Sequence, residues 1–230
     1  MLGARLGSTE NQMISRRDGY RSSAGKEQIS IAVLQEFFRD KIGNSGELIV
    51  GAEENYRVGD LRFPQGLTIE CKGQPIDPER YPQNFVEVFE VTENDRHVGG
   101  LSQMAELLDM TIDEIAQTSV RFQGVESKVG NPPRVSVSIT SICTAAYTAY
   151  VNSTNGGLHI YLYSRNEIVS HLRVAIRKGF VRGAGKSNED TFAVFVPLAQ
   201  MRWTKRNGLW SVSGNLPEEA VIPRLVAELL

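Results

Sequence analysis

The sequence VGDLRFPQGLTIECKGQ, residues 58–74, contains two apolar runs on either side of a Pro-Gln-Gly triplet. Such a triplet between apolar runs is typical of the turn of a short β-hairpin. Three ionisable side chains, Asp60, Glu70 and Lys72, nevertheless lie within the two predicted strands. Because strands that contribute to a core seldom carry unpaired charges, these three residues require a physical explanation.

The register of the hairpin follows from its turn. If the turn is centred on Gln65, positions equidistant from it face each other, which places Asp60 opposite Glu70. Side chains in such a pair have Cβ atoms about 4.5–5.5 Å apart. Because strand side chains alternate between faces, Glu70 and Lys72 share one face, whereas Cys71 points to the core. The three charged groups are therefore predicted to converge.

Two carboxylates that face each other repel unless a cation lies between them. Oxygen ligands from Asp60 and Glu70, together with the backbone carbonyl of Cys71, suit Mg²⁺ with a shell completed by water. Lys72 can then orient or deprotonate an attacking water, or offset charge on a phosphate. The alternative is an exposed ladder of ion pairs on the solvent face of the hairpin, which contributes only about 0–1 kcal/mol. The residues alone leave both interpretations open.

This spacing resembles the D-x(n)-(D/E)-x-K signature of the PD-(D/E)XK nuclease superfamily, which has the restriction-endonuclease-like fold. Asp60 is followed by nine residues and then by Glu70-Cys71-Lys72, and Gly59 stands where the superfamily name has a proline. The resemblance covers about residues 26–92. It implies a central mixed β-sheet flanked by helices.

The resemblance also implies two further site residues. Members typically place a helix before the hairpin with an additional acidic residue on it, and Glu27 matches that location best. Glu36, on the same predicted helix, is the competing choice. Gln74 resembles the polar residue that often follows the motif. In this scheme Asp60 and Glu70 bind metal, and Glu27 supports a second metal or positions the lysine.

The function implied is that of a Mg²⁺-dependent DNA endonuclease, in which Mn²⁺ substitutes for Mg²⁺ and Ca²⁺ supports binding without cleavage. The size of the chain favours a type II restriction endonuclease that acts on double-stranded DNA as a homodimer. One alternative is a repair or recombination nuclease, either structure-specific or junction-resolving. Another is a non-catalytic DNA-binding protein, although this would leave the lysine of the motif without a role.

The amino-acid composition is that of a globular protein. The chain has 230 residues, of which 41% are hydrophobic, and a formal net charge of −2. Its apolar runs are shorter than the roughly 20 residues of a membrane span, and the N-terminus lacks a basic-then-apolar signal region. We therefore expect a cytoplasmic protein without membrane contact. Cys71 and Cys143 both lie in apolar segments, which disfavours a disulfide framework and a Cys-based zinc site.

Positive charge is concentrated in one part of the chain. Residues 165–206 contain nine Lys and Arg against three Asp and Glu, a net charge of +6, which leaves −8 for the remainder. Such a stretch predicts contact with a polyanion, although solvated helix faces are often basic as well. The predicted nucleic-acid contacts are Gln74, Arg96, His171, Arg173, Arg177, Arg182, Lys186 and Arg202.

The remaining pattern predicts an α/β or α+β protein. Residues 1–24 are polar and basic and are predicted to be a flexible segment, followed by a single nuclease domain over residues 25–230. The predicted helices are 26–41, which Gly43 ends, 101–109, 112–117, 165–179 and 217–229. The predicted strands are 47–51, 58–63, 67–73, 84–91, 134–142, 158–164 and 191–198.

Overall fold

The computed structural model describes residues 23–50, 58–74, 83–91, 101–111, 113–114, 135–137, 144–154, 157–178, 181–184, 191–214 and 216–230. Within these ranges the helices are α1 (Ser23–Ile42), α2 (Leu101–Leu108), α3 (Arg165–Arg177) and α4 (Glu218–Leu229). The strands are β1 (Glu47–Leu48), β2 (Leu61–Arg62), β3 (Thr68–Gln74), β4 (Gln83–Val91), β5 (Val135–Val137), β6 (Tyr147–Thr154), β7 (Gly157–Ser164), β8 (Val181–Ala184), β9 (Thr191–Pro197), β10 (Met201–Arg206) and β11 (Leu209–Val212).

The centre of the fold is a seven-stranded sheet with the order β1-β2-β3-β6-β7-β10-β11. Adjacent strands in this sheet are antiparallel, except that β3 and β6 run parallel to each other. A second sheet, with the order β5-β4-β9-β8, is antiparallel throughout. The protein is therefore mixed α/β, with a large mixed sheet flanked by helices, as the sequence predicts. Strand β3 is the point at which the large sheet changes from antiparallel to parallel pairing.

Two apolar cores cover the two faces of the large sheet. On one face, α1 and α4 pack through Phe37 and Leu225 against strand residues such as Ile69. On the other face, α2, α3 and the second sheet pack around three tyrosines of β6 and β7, including Tyr150 and Tyr163. Because alternate residues of β3 point to opposite faces, Glu70 and Lys72 lie on the face opposite Ile69.

The central hairpin has the predicted register. Leu61 pairs with Ile69 and Arg62 pairs with Thr68, so the two strands are arranged symmetrically about Gln65. Gln65 itself adopts a positive φ of 66°, within the short 3₁₀ turn Pro64–Gly66. Strand β2 is shorter than the predicted strand 58–63, since it begins only at Leu61 and ends at Arg62.

Two helix boundaries also agree with the sequence. Helix α1 ends before Gly43, whose φ is +72° and whose N–H donates to the carbonyl of Arg39 at 3.1 Å. At the start of the predicted helix 112–117, Thr111 and Glu114 form a capping box, in which the N–H of each residue donates to the side chain of the other, at 2.7 and 3.1 Å. Helix α1 begins at Ser23, and residues 1–22 of the predicted flexible segment lie outside the described residues.

None of the strands predicted from the sequence covers β6, β8, β10 or β11. The β10–β11 hairpin turns at Asn207-Gly208, whose φ values are +50° and +82°. Asn-Gly is a strong signal for such a turn, so this hairpin was predictable from the sequence. Residues 115–117 and 138–142, at the ends of two predicted elements, lie outside the described residues. No helix in the described part of the chain is both long and apolar enough to cross a bilayer.

Candidate active site

The start of strand β2 places Asp60 against the middle of β3. The N–H of Asp60 donates to the carbonyl of Ile69 at 2.9 Å, and the N–H of Cys71 donates to Oδ2 of Asp60 at 2.6 Å. The side chain of Asp60 thus takes the place that a strand backbone would occupy beside Cys71. Asp60 is fully buried, and its Oδ1 has no hydrogen-bond partner among the described residues. A buried carboxylate oxygen without a donor is a costly feature that a bound cation would relieve.

Glu70 lies on the same face of the hairpin and forms an ion pair. It is only 2% exposed, and Lys72 Nζ lies 2.6 Å from its Oε1. The interpretation of these residues as an exposed ladder of ion pairs is therefore wrong, because both Asp60 and Glu70 are buried. Removing one partner of a buried ion pair leaves an uncompensated charge, so Glu70 and Lys72 depend on each other.

Helix α1 contributes Glu27 to this cluster. The pKa of Glu27 is raised, first by partial burial and then by the negative charge of Asp60, whereas the nearby Lys72 opposes the shift. Glu36 lies elsewhere, because its Oε1 accepts a hydrogen bond from Lys205 Nζ at 2.6 Å. The structure therefore brings Glu27, and not Glu36, together with the carboxylate of Asp60.

The electrostatic environment of Glu70 is unusual for a carboxylate. Burial is the largest cause that raises its pKa, from 4.5 to about 7, and Asp60 adds to the shift while Lys72 opposes it. A carboxyl group that titrates near neutrality can hold or release a proton at physiological pH. Burial, followed by the negative charges of Asp60 and Glu70, raises the pKa of the Cys71 thiol well above its usual range, so this thiol stays protonated.

We expect the metal-free protein to lose stability as the pH rises from about 4.5 to 7. In this window folded Glu70 keeps a proton that unfolded Glu70 releases, so stabilisation is present below pH 4.5 and is lost as the pH rises through 7. The shift corresponds to about 3 kcal/mol. Urea unfolding in EDTA across this range measures the effect. Glu70→Gln should flatten the curve, whereas Glu219→Gln, at an exposed position of α4, should leave it unchanged.

The donor set of the cluster fits a hard cation such as Mg²⁺. It comprises the unpartnered Oδ1 of Asp60 and the buried carboxylate of Glu70. The Cys71 carbonyl faces the same strand edge as its N–H, towards Asp60. Among the described residues, no three His, Cys, Asp or Glu side chains are already arranged to hold a metal ion. The ammonium of Lys72 lies beside Glu70 instead, so metal binding through both carboxylates requires this ion pair to rearrange.

The predicted nucleic-acid contacts are only partly displayed on the surface. Arg173 Nε donates to the carbonyl of Leu108 at 2.5 Å, and Arg202 Nε donates to the carbonyl of Ser213 at 2.9 Å. These two side chains therefore hold the protein's own backbone. His171 is partly buried and meets the ring of Tyr163 edge-on.

Arg177 is the clearest remaining candidate for DNA contact. It is exposed at the end of α3. Hydrogen bonds from Thr111 are the main cause that lowers the pKa of Glu114, and the positive charge of Arg177 adds to this shift, which places Arg177 near Glu114. Gln74 and Arg182 lie in strands β3 and β8, for which the structure describes the backbone at these two positions but not the side chains. Arg96 and Lys186 lie outside the described residues.

Strand β6 supplies two neighbours that the sequence did not predict. Thr148 pairs with Glu70 and Tyr150 pairs with Lys72 across the parallel β3–β6 ladder. Both are buried, so the face that carries the charged cluster is continuous with the tyrosine-rich core. Since the two strands are far apart in the chain, no local pattern indicates this pairing.

No family model matches the chain, and no curated protein or solved structure matches it either. The PD-(D/E)XK resemblance therefore rests on the sequence motif around Asp60, Glu70 and Lys72.

Proposed function

We propose that this chain is a Mg²⁺-dependent DNA endonuclease with a restriction-endonuclease-like core, which hydrolyses phosphodiester bonds in double-stranded DNA. Its role in this proposal is that of a type II restriction enzyme acting as a homodimer. The observation that carries the proposal is the convergence of two buried carboxylates, Asp60 and Glu70, with Lys72 and Glu27. Such a cluster is expensive to maintain unless it has a chemical task, because each buried charge must be compensated.

The two buried carboxylates are the groups that would hold the metal. Asp60 offers Oδ1, because its Oδ2 is already engaged by the Cys71 N–H. Glu70 offers a carboxylate that loses its proton near neutral pH. A bound Mg²⁺ supplies Lewis-acid stabilisation of the negative charge that develops on a phosphate during hydrolysis.

Lys72 and Glu27 are the groups available to water and substrate. Lys72 is partly exposed, and its side chain reaches from the same face as Glu70. Its ammonium can hold the attacking water or offset charge on the phosphate oxygens. Glu27 is likewise partly exposed, and partial burial and then the charge of Asp60 raise its pKa. In this proposal it supports a second metal or positions Lys72.

Incubation with DNA in Mg²⁺ tests the proposal directly. Plasmid and phage DNA should give discrete bands if the protein is a restriction enzyme, and DNA of different sequence should give different bands. Cleavage confined to branched substrates would indicate a repair or recombination nuclease instead. Binding without any cleavage, under conditions in which Asp60→Asn binds equally well, would contradict a nuclease function.

The proposed DNA surface at the end of α3 predicts a salt effect. Each phosphate contact contributes about −0.9 to the slope of log affinity against log salt concentration. Replacing Arg177 by alanine, alone and together with Arg182, should therefore make the slope less negative by about 0.9 per lost contact. Arg224→Ala is the matched control, since Arg224 is exposed on α4 and paired with Glu228. An unchanged slope in the double variant would remove α3 and β8 from the DNA surface.

A further inference from the structure

Gly59, which immediately precedes Asp60, has a conformation that few other residues adopt. Its φ is +105°, and it is buried. A Cβ atom at this position would lie 2.9 Å from the carbonyl oxygen of Ile69 and 3.1 Å from the nitrogen of Glu70. Both obstacles are backbone atoms of β3, so they cannot move aside as a flexible side chain would. The contact is possible because glycine has no Cβ and tolerates a positive φ.

This close approach determines how Asp60 meets β3. With Gly59 in place, the Asp60 N–H reaches the Ile69 carbonyl at 2.9 Å, and the Asp60 carboxylate reaches the Cys71 N–H at 2.6 Å. One oxygen of the carboxylate is thereby fixed, and Oδ1 remains as the unpartnered, buried oxygen. A Cβ at position 59 would push the chain away from β3 and would change the distance and direction of both hydrogen bonds.

We propose that Gly59 is a positioning residue of the active site, which holds Asp60 Oδ1 where it can serve as a metal ligand. This inference rests on the proposed function, because it assigns Gly59 a role towards the same metal. It also accounts for the absence of proline at this position. Proline fixes φ near −65°, which is incompatible with the backbone conformation of Gly59.

Two other glycines provide matched controls. Gly66, in the turn of the same hairpin, has a φ of +76° and nothing within 4 Å of an added Cβ. Gly66→Ala therefore introduces strain of the same kind without displacing Asp60. Gly157, at the β6–β7 turn, has a φ of +138° and lies against the backbone carbonyl of Lys205. Gly157→Ala therefore introduces a clash with the backbone away from the site.

The first readout is the amide signal of Cys71. Cys71 and Cys143 are the two cysteines of the chain, so ¹⁵N-cysteine labelling gives a two-peak spectrum that Cys143→Ser assigns. The Cys71 amide proton should resonate far downfield, since it donates a short hydrogen bond to a carboxylate. Asp60→Ala marks the position of the signal without this bond. Gly59→Ala should move the signal towards the Asp60→Ala position, whereas Gly66→Ala and Gly157→Ala should leave it downfield.

The second readout is metal binding without DNA. Melting temperatures are measured across a titration with Mg²⁺ alone. Gly59→Ala should raise the half-saturating Mg²⁺ concentration about 10-fold or more, as loss of support for a metal ligand does. Gly66→Ala and Gly157→Ala should keep the wild-type value, even if their melting temperatures are lower.

The outcomes separate the two proposals. If Gly59→Ala keeps the wild-type Mg²⁺ response, the inference about Gly59 is wrong, whatever happens to the Cys71 signal. If the wild-type protein itself shows no Mg²⁺ response, the metal-dependent function fails, and with it the role of Gly59 towards a metal. Should Gly59→Ala not fold, Asp60→Glu provides the test instead. This variant keeps the negative charge but places the carboxylate one methylene farther from the backbone that Gly59 positions. A wild-type Mg²⁺ response in Asp60→Glu would overturn the inference.

Discussion

Replacing Lys72 by alanine should lower the single-turnover cleavage rate by about 10²-fold or more, while DNA affinity measured in Ca²⁺ stays nearly unchanged. The reason is that a lysine acting on the water or on the developing phosphate charge contributes mainly in the transition state. The ion pair with Glu70 at 2.6 Å places the ammonium within the carboxylate cluster, where such a contribution is possible.

The experiment distinguishes three roles of Lys72. A catalytic lysine affects cleavage alone, whereas a lysine that only holds phosphate weakens binding and cleavage together. A structural lysine changes stability, because Glu70 loses its buried partner, and barely changes turnover at a temperature well below the melting transition. Arg224→Ala, at an exposed position of α4 away from the proposed DNA surface, controls for the loss of a positive charge. A normal cleavage rate in Lys72→Ala would end the nuclease assignment of this motif.

Lys72→Arg extends this test by keeping the positive charge. Arginine stays protonated at any pH at which the protein is folded, so it cannot act as a base. If the variant retains most of the wild-type rate, Lys72 acts through its charge. If its rate falls as far as that of Lys72→Ala, either proton transfer or the compact shape of the ammonium is required.

Asp60→Asn should abolish cleavage and remove the stabilisation by Mg²⁺, while the metal-free protein stays folded or becomes slightly more stable. The amide oxygen can still accept the Cys71 N–H, but the negative charge that binds metal is lost. The mutual repulsion of Asp60 and Glu70 also disappears, which favours the metal-free fold. Thermal melts with and without Mg²⁺ measure both effects.

Asp40→Asn is the matched control for this substitution. Asp40 is an exposed aspartate of α1, so its loss changes the net charge by the same amount without reaching the cluster. The Asp40→Asn variant should therefore cleave DNA and respond to Mg²⁺ like the wild type. If Asp60→Asn also responds to Mg²⁺ like the wild type, the metal does not bind at the proposed site.

The local features of the fold were predictable because they depend on residues close together in the chain. The register of the hairpin follows from the turn at Gln65 and from the alternation of side chains, and the structure confirms it. The end of α1 at Gly43 and the capping box of Thr111 are likewise decided within a few residues. The Asn207-Gly208 turn belongs to the same class, although the sequence expectations omitted it.

The choice between Glu27 and Glu36 could not be made from the sequence. Nine residues are about two and a half helical turns, so the two side chains project from opposite sides of α1. Both positions are compatible with the apolar pattern of the helix. The packing of α1 against the large sheet decides the choice, because it turns Glu27 towards Asp60 and leaves Glu36 to pair with Lys205.

The prediction of a basic DNA-binding surface from the sequence was limited for the same reason, because tertiary contacts decide which basic side chains are available. Counting charges along residues 165–206 treats every Arg and Lys as available to DNA. Arg173 and Arg202 instead donate to the backbone carbonyls of Leu108, in α2, and of Ser213, just after β11. A guanidinium group can donate to backbone carbonyls as well as to phosphates, so a charge count cannot separate the two uses.

The alignment of Asp60, Glu70 and Lys72 on one face was set by the chain itself, because turn geometry and the two-residue repeat of a strand act over short distances. The burial of Asp60 and Glu70 was decided only by the tertiary structure. Strand β6 covers the open edge of β3 by parallel pairing, and α1 brings Glu27 beside Asp60. Burial converts an ordinary pair of carboxylates into one whose Glu70 has a pKa of about 7, because removal from water penalises the charged form.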